Sequence, residues 1–241
     1  MATPDPFDTQ PPESEFLRKL STFTAEVTRK ARTKAAKKLS HNVEFDAHAE
    51  RLPAQLPLWG EEVRALPNAI IRGALFAARD AETPRIYFDD LRVASLSNIE
   101  LTYRGQELRQ EDAAVFMQLL HFAREVPLGI VVEFTGRKML QDLGWSTNSK
   151  AYERLRKSID RMTATSIKVK MTIKSETSGY GGSIIRNFRW KSDAGEPLTK
   201  WQVWMDPEII SLFKPDTYSL LAWEQRKQLD NRSPLTLWLH S

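Results

Sequence analysis

Residues 135–191 constrain the fold more than any other stretch, because two helical periods and two strand periods follow one another there with little slack. Thr135 is placed to cap a short helix whose apolar positions Met139, Leu140 and Leu143 share one side, and Gly144 suits the left-handed stop after it. A second helix starts in the polar run Ser146, Thr147, Asn148, Ser149. Tyr152, Leu155, Ile159 and Met162 then recur at helical spacing, which at about 100° per residue makes one apolar stripe. Lys150, Arg154, Lys157 and Arg161 fall on the other side. A helix held by protein on one face and basic on the other is what phosphates and base edges require.

The next segment alternates strictly. Ile167, Val169, Met171 and Ile173 are interleaved with Lys168, Lys170, Thr172 and Lys174, a half-buried strand with a basic outer face. Residues 176–182, with Gly179, Gly181 and Gly182, read as a turn, and residues 184–191 as the returning strand, carrying Arg186, Arg189 and Lys191. Helix, turn, helix and hairpin make a winged helix. The expected class is therefore α+β, with a DNA-contacting set of Lys150, Arg154, Lys157, Arg161, Lys168, Lys170, Lys174, Arg186 and Arg189.

Charge supports that expectation. Residues 137–191 hold thirteen basic against four acidic side chains, a balance of +9, whereas the whole chain carries +4, which leaves −5 for the rest. The positive field is concentrated on this unit and not spread as ordinary solubilising charge. The alternative is a solvated basic face with no ligand.

Elsewhere the sequence mostly excludes. A chain of 241 residues that is 41% hydrophobic and 27% charged can bury a real core. No window approaches a membrane span, and the start lacks a signal-peptide core, so a cytoplasmic protein is expected. With no cysteine, disulfides, thiolate-bound zinc and thiol catalysis drop out. The histidines, His41, His48, His121 and His240, are isolated, so no metal and no cofactor is expected. His121 reads as a packed residue, since no nucleophile accompanies it.

Residues 1–12 read as disordered. Phe16, Leu17, Leu20, Phe23 and Val27 form one amphipathic face that runs into Arg29, Lys30, Arg32, Lys34, Lys37 and Lys38. That run is either a phosphate-gripping tail or a solvated helix end. Gln55, Leu56, Pro57, Leu58 and Trp59 lie between Pro53 and Gly60, an apolar cluster among helix breakers. Two readings stay open: a docking peptide, or a staple by which Leu58 and Trp59 tie the linker to this chain's own domain.

Pro67 opens an expected helix to about residue 79, through Ile70, Ile71, Ala74, Leu75 and Ala78. Residues 85–88, 91–94 and 99–104 read as strands, 110–125 as a long helix with Val115, Phe116, Leu119 and Ala123 inward, and 130–134 as a strand. Further on, Trp201, Val203 and Met205 alternate, residues 218–223 suggest a short element, and Asp206-Pro207 and Ser233-Pro234 are helix starts. Leu235, Leu237, Trp238 and Leu239 are still apolar at the end of the sequence. Either the chain is truncated, or its last helix packs backward onto the first domain.

The runs PNAIIRGALFAA, GWSTNSKAYERLRKSIDRM and SPLTLWLHS, within a likeness over about residues 50–241, resemble the TrfA family of plasmid replication initiators. The resemblance implies an iteron-binding initiator built of two winged helices, the first contacting DNA and taking part in homodimer formation, the second supplying much of the base reading. It divides the chain into a basic N-terminal region (1–50), a linker (51–66), a first winged-helix domain (67–195) and the beginning of a second (196–241). It also implies origin opening on double- and single-stranded origin DNA, copy control, and recruitment of the host's replicative helicase and initiator. Bacterial sliding-clamp ligands share Gln, Leu, any residue, Leu, Phe. Gln55, Leu56, Leu58 and Trp59 match that pattern with Trp last, so the resemblance favours the docking reading and names a sliding clamp as partner.

Three function classes compete at this point. One is a non-catalytic DNA-binding initiator. The second is a winged-helix transcriptional regulator or partition protein, which the fold alone would permit. The third is a rolling-circle nickase, which needs a metal-binding histidine pair beside a tyrosine nucleophile, and four isolated histidines do not supply one.

Overall fold

The computed structural model of this chain describes residues 55–72, 75–96, 99–173, 176–213, 216–229 and 233–241. The readings of residues 1–54, with His41 and His48, and of Lys174 lie outside the described residues. Pro53–Ser241 forms one unit.

The fold is mixed α/β. Its elements run β1 (Val63–Pro67), α1 (Asn68–Arg72), β2 (Phe76–Ala77), β3 (Tyr87–Leu96), β4 (Ile99–Gln106), β5 (Leu108–Arg109), α2 (Gln110–Ala123), β6 (Val131–Phe134), α3 (Gly136–Asp142) and α4 (Ser149–Thr163). They continue with β7 (Ser166–Ile173), β8 (Glu176–Gly182), β9 (Ile185–Lys191), β10 (Pro197–Met205), a 3-10 helix (Pro207–Leu212), β11 (Tyr218–Ala222), α5 (Trp223–Leu229) and α6 (Pro234–Leu239).

Helix α2 is the axis of the core. Val115, Phe116, Met117, Leu119, Leu120 and Ala123 are all buried, and so are Gln110, Asp112, Gln118 and His121, so the helix is interior nearly all round with its polar side chains partnered inside. The helix expected to follow Pro67 is shorter than its pattern. Pro67 ends β1, α1 stops at Arg72, and Phe76 leaves helical geometry to pair with Leu108 of β5 and pack on Phe116. Core burial there outweighs a local preference worth tenths of a kcal/mol per residue, about 0 to 0.7.

The strands correct two expectations. Residues 176–182 are not a turn but β8, hydrogen-bonded to β7 from Ile167↔Gly182 to Ile173↔Glu176. The alternating strand β7 therefore belongs to a four-stranded antiparallel sheet ordered β3-β4-β7-β8. The segment expected to return as its partner, β9, sits in a different sheet, ordered β6-β10-β9. The glycines that looked like a loop are tolerated in β8, a strand paired on one side only within this sheet.

The second correction concerns residue 196. Strand β10 pairs with β6 and β9, and β11 pairs with β1 from Val63↔Ala222 to Pro67↔Tyr218, so residues 196–222 complete the same unit. Residues 63–66, expected in a linker, form with Pro67 one strand of that closure. Leu237 of α6 is buried and Arg226 of α5 donates to its carbonyl, while Leu235 and Leu239 stay exposed.

A polar network crosses this core. Arg64 of β1 donates to Gln118 (2.7 Å) and lies over the Trp223 ring (4.9 Å), while Gln118 donates to Asp142 (3.0 Å) and Trp223 to the Asp142 carbonyl (2.9 Å). Burial pushes the Arg64 guanidinium down to about 10, against the pull of Asp142. One network thus fixes β1, α2, α3 and α5 to one another.

Candidate nucleic-acid interface

The α3–α4 pair forms as its local sequence dictates. The Thr135 hydroxyl accepts from the Lys138 amide (3.1 Å), and Gly144 takes a left-handed φ of +74° after α3. Asn148 caps α4 by accepting from the Ala151 amide (2.9 Å). Leu155, Ile159 and Met162 are buried as expected, and Tyr152 is half-buried beside Trp201 (6.3 Å). A Cβ on Gly136 would lie 2.8 Å from the Tyr152 ring, so the absent side chain sets how closely α3 and α4 approach.

The four basic positions of α4 separate into two kinds. Lys150 and Lys157 are exposed, the latter tied one turn back to Glu153 (2.8 Å). That bond holds the Glu153 carboxyl below the usual range. Arg154 is exposed, yet lies over the Trp145 ring (3.9 Å) and pairs with Glu111 (2.7 Å). Arg161 is 13% exposed and donates to Asp112 (2.6 Å) and Glu111 (3.2 Å) on the first turn of α2. The expectation that Arg161 faces phosphates is corrected: a buried carboxylate draws it inward.

Asp112 is the hub of that inward side. One carboxylate oxygen accepts from Ser158 (2.6 Å) and Arg161, the other from Arg85 (2.8 Å) and the Arg109 amide (2.9 Å). Two guanidinium groups and a capping amide hold this acid, which has no exposed surface.

The hairpin beside α4 is β9–β10, not β7–β8. The Trp190 ring of β9 carries both Arg156 of α4 (4.9 Å) and Lys191 (4.8 Å) over it. Arg189 is exposed, 3.7 Å from Asp193, and Arg186 is 3.4 Å from Asp206. Arg156 and Trp190 were missed as site residues. The charge count included Arg156, but its partner lies in a strand whose position the sequence did not give. Lys168 and Lys170 are exposed on the four-stranded sheet, where Lys168 pairs with Asp90 (2.8 Å) and holds its carboxyl low. The structure thus brings Arg156 and Lys191 together at Trp190, keeps Lys150 and Lys157 exposed on α4 and Arg189 exposed on β9, and leaves Lys168 and Lys170 on another sheet.

The peptide segment is folded in. Leu56 and Trp59 are 2% and 8% exposed, while Leu58 is 74% exposed. The Trp59 indole N–H donates to His121 Nδ1 (3.1 Å), its ring stacks on Phe213 (6.2 Å, 13°), and Gln55 donates to the Arg124 carbonyl (3.2 Å). His121 Nε2 meets Glu61 (3.0 Å), and Arg124 bonds both the Trp59 carbonyl (3.2 Å) and Glu61. Trp59 thus anchors the segment to this unit, as the staple reading has it, while Leu58 stays outside. The Trp59 pocket is already filled.

The description "TrfA protein" belongs to a family whose profile matches residues 21–236 of this chain. The chain belongs to the TrfA family. A TrfA relative, the plasmid replication initiator protein TrfA of Escherichia coli, is 33% identical over 174 residues, which are 71% of this chain and 44% of that protein. The chain therefore spans less than half the length of that TrfA. Among solved structures, a crystal structure of domains 2 and 3 of RctB is similar at a TM-score of 0.48 and 13% identity, over 72% of this chain and 68% of that one. A second RctB structure of domains 2–3 gives 0.42 and 14%, over 61% and 60%. Among the described residues of this TrfA-family chain, no helix is long and apolar enough to cross a membrane, and no group of three or more metal-ligating side chains gathers.

Proposed function

We propose that this chain is the DNA-binding part of a plasmid replication initiator, acting without catalysis in the bacterial cytoplasm. In this reading α3, α4 and the β6-β10-β9 sheet are a winged helix. Helix α4 enters the major groove of an origin repeat, and the β9–β10 hairpin is the wing along the adjoining backbone. The observation that carries it is a basic strip at the α4–β9 junction, where Arg156 and Lys191 both lie against Trp190, with Lys150 and Lys157 exposed on α4. Such a strip follows a phosphate backbone.

Origin opening, binding of single-stranded origin DNA, homodimer formation, copy control and recruitment of helicase, host initiator and sliding clamp are the further parts of this proposal, and they rest on family membership. For the clamp the contact would be Gln55, Leu56, Leu58 and Trp59. The test is the salt dependence of binding to a duplex origin repeat. Lys150→Ala and Lys157→Ala should each flatten the slope of log K against log salt by about 0.9 per lost phosphate contact. Unchanged slopes in both would show that α4 faces away from the DNA.

A further inference from the structure

Residues 55–60 lie in neither a helix nor a strand, and the side chains that hold them come from one short stretch. His121 and Arg124 are neighbours on the last turn of α2 and its cap, and Glu61 closes over both. His121 Nδ1 accepts the Trp59 N–H, Nε2 meets Glu61, and Arg124 reaches the Trp59 carbonyl while its own carbonyl accepts from Gln55. Phe213 supplies the apolar floor under the indole. Strand β1, immediately after, is held separately by its ladder to β11. The segment is therefore a strap fastened at one end by side-chain contacts, not a strand woven into a sheet.

The orientation within the strap matters for docking. Leu58 points to solvent and Trp59 to the core, as successive residues of an extended segment do. A partner that takes Leu58 and Trp59 together into one pocket cannot use this arrangement. One anchor is already occupied, and the two face opposite ways.

We propose that residues 55–61 are a self-masking strap: His121 and Arg124, held by Glu61, clasp Trp59 and with it hide in cis two of the anchors that the segment offers to a sliding clamp, Leu56 and Trp59, so docking requires the strap to peel from α2. This rests on the clamp reading given above. Peeling need not unfold the unit, because β1 and the Arg64 network remain in place. Affinity of the whole chain is then the affinity of the free segment multiplied by the fraction of time the strap is open. A minor state populated between about 1 and 10% gives a weakening of about 10- to 100-fold.

The experiment compares binding to a purified bacterial sliding clamp by three species: a synthetic peptide of residues 51–62, the full chain, and the full chain carrying His121→Leu. Because a change at a buried histidine can disturb folding, Glu61→Ala serves as a second variant, its side chain being 78% exposed. The expected result is a peptide that binds at least tenfold tighter than the full chain, with both variants closing part of that gap. In both variants the amides of Leu56, Leu58, Trp59 and Gly60 should exchange with solvent faster, while those of β1 do not. A peptide that binds no tighter than the full chain, or variants that bind no tighter than the parent, would overturn the masking and leave the clamp reading standing. A peptide that does not bind at all would overturn the clamp reading, and the masking with it.

Discussion

Replacing Asp112 with Ala is the sharpest test of how α4 is held. The carboxylate joins three parts of the chain: Arg85 ahead of β3, the first turn of α2, and Ser158 with Arg161 on α4. Removing one partner of a buried ion pair costs about 3 to 5 kcal/mol, mostly from the charge left unpaired. Here Glu111 remains within 2.5 Å of Arg85 and 3.2 Å of Arg161, and both arginines keep a little solvent access, so the lower end applies, about 3 kcal/mol. For a unit of this size each kcal/mol moves the melting point by about 2 to 4 °C, so the expected fall is about 6 to 12 °C. Urea unfolding followed by tryptophan fluorescence would give the free energy, and a thermal scan the shift. Arg161→Ala should likewise destabilise, yet leave the salt slope of DNA binding unchanged. A loss below about 1 kcal/mol for Asp112→Ala, or an Arg161→Ala salt slope that falls as much as that of Lys150→Ala, would refute the inward assignment.

Two further outcomes are expected. Burial is the main cause that lowers the His121 pKa, aided by Arg64 and Arg124 and opposed by the bond to Glu61, so the folded chain favours the neutral ring. That stabilisation is complete above the ordinary value of 6.5 and is lost as pH falls from there through the lowered value of the folded ring, so the urea midpoint should drop as pH is taken below about 6.5. Burial lowers His240 in the same direction, so His121→Leu should reduce the drop without abolishing it; equal drops in parent and variant would refute the role of His121. Glu61, itself held below its ordinary 4.5, acts only in more acidic solution. Gly144→Ala should cost about 1 to 2 kcal/mol in thermal or urea unfolding, because φ of +74° is left-handed, and a neutral result would show that the α3 stop relaxes.

What could be read from the sequence was local. Thr135, Gly144, Asn148, Asp206 and Ser233 act within three residues of themselves, and each occupies the cap or stop that its chemistry suggested. The apolar stripe of α4 was equally legible, since period alone fixes it. Arg161 was misplaced because a helical wheel shows which side a residue is on but not what approaches that flank, and Asp112 is 49 residues away. Trp59 depends on His121, 62 residues distant. The β7 pairing failed for a related reason: an alternating strand fits any partner of matching pattern, and nothing local separates residues 176–182 from 184–191 as that partner.

The pairing of β1 with β11 also orders events in time. On the ribosome, β1 emerges long before Tyr218–Ala222 exist to accept its hydrogen bonds, and until then Ala65 and Leu66 stand on an open strand edge with no ladder. The α3–α4 pair, built from neighbouring residues, can form while the chain is still being made. Closure of the unit waits for its last strand, and long-range closures of this kind are slow. A chain stalled before residue 218 therefore carries an assembled helix pair on a body that cannot yet shut, a state suited to chaperones or proteases. The supply of finished protein would then be governed partly by how quickly a single five-residue strand finds its partner.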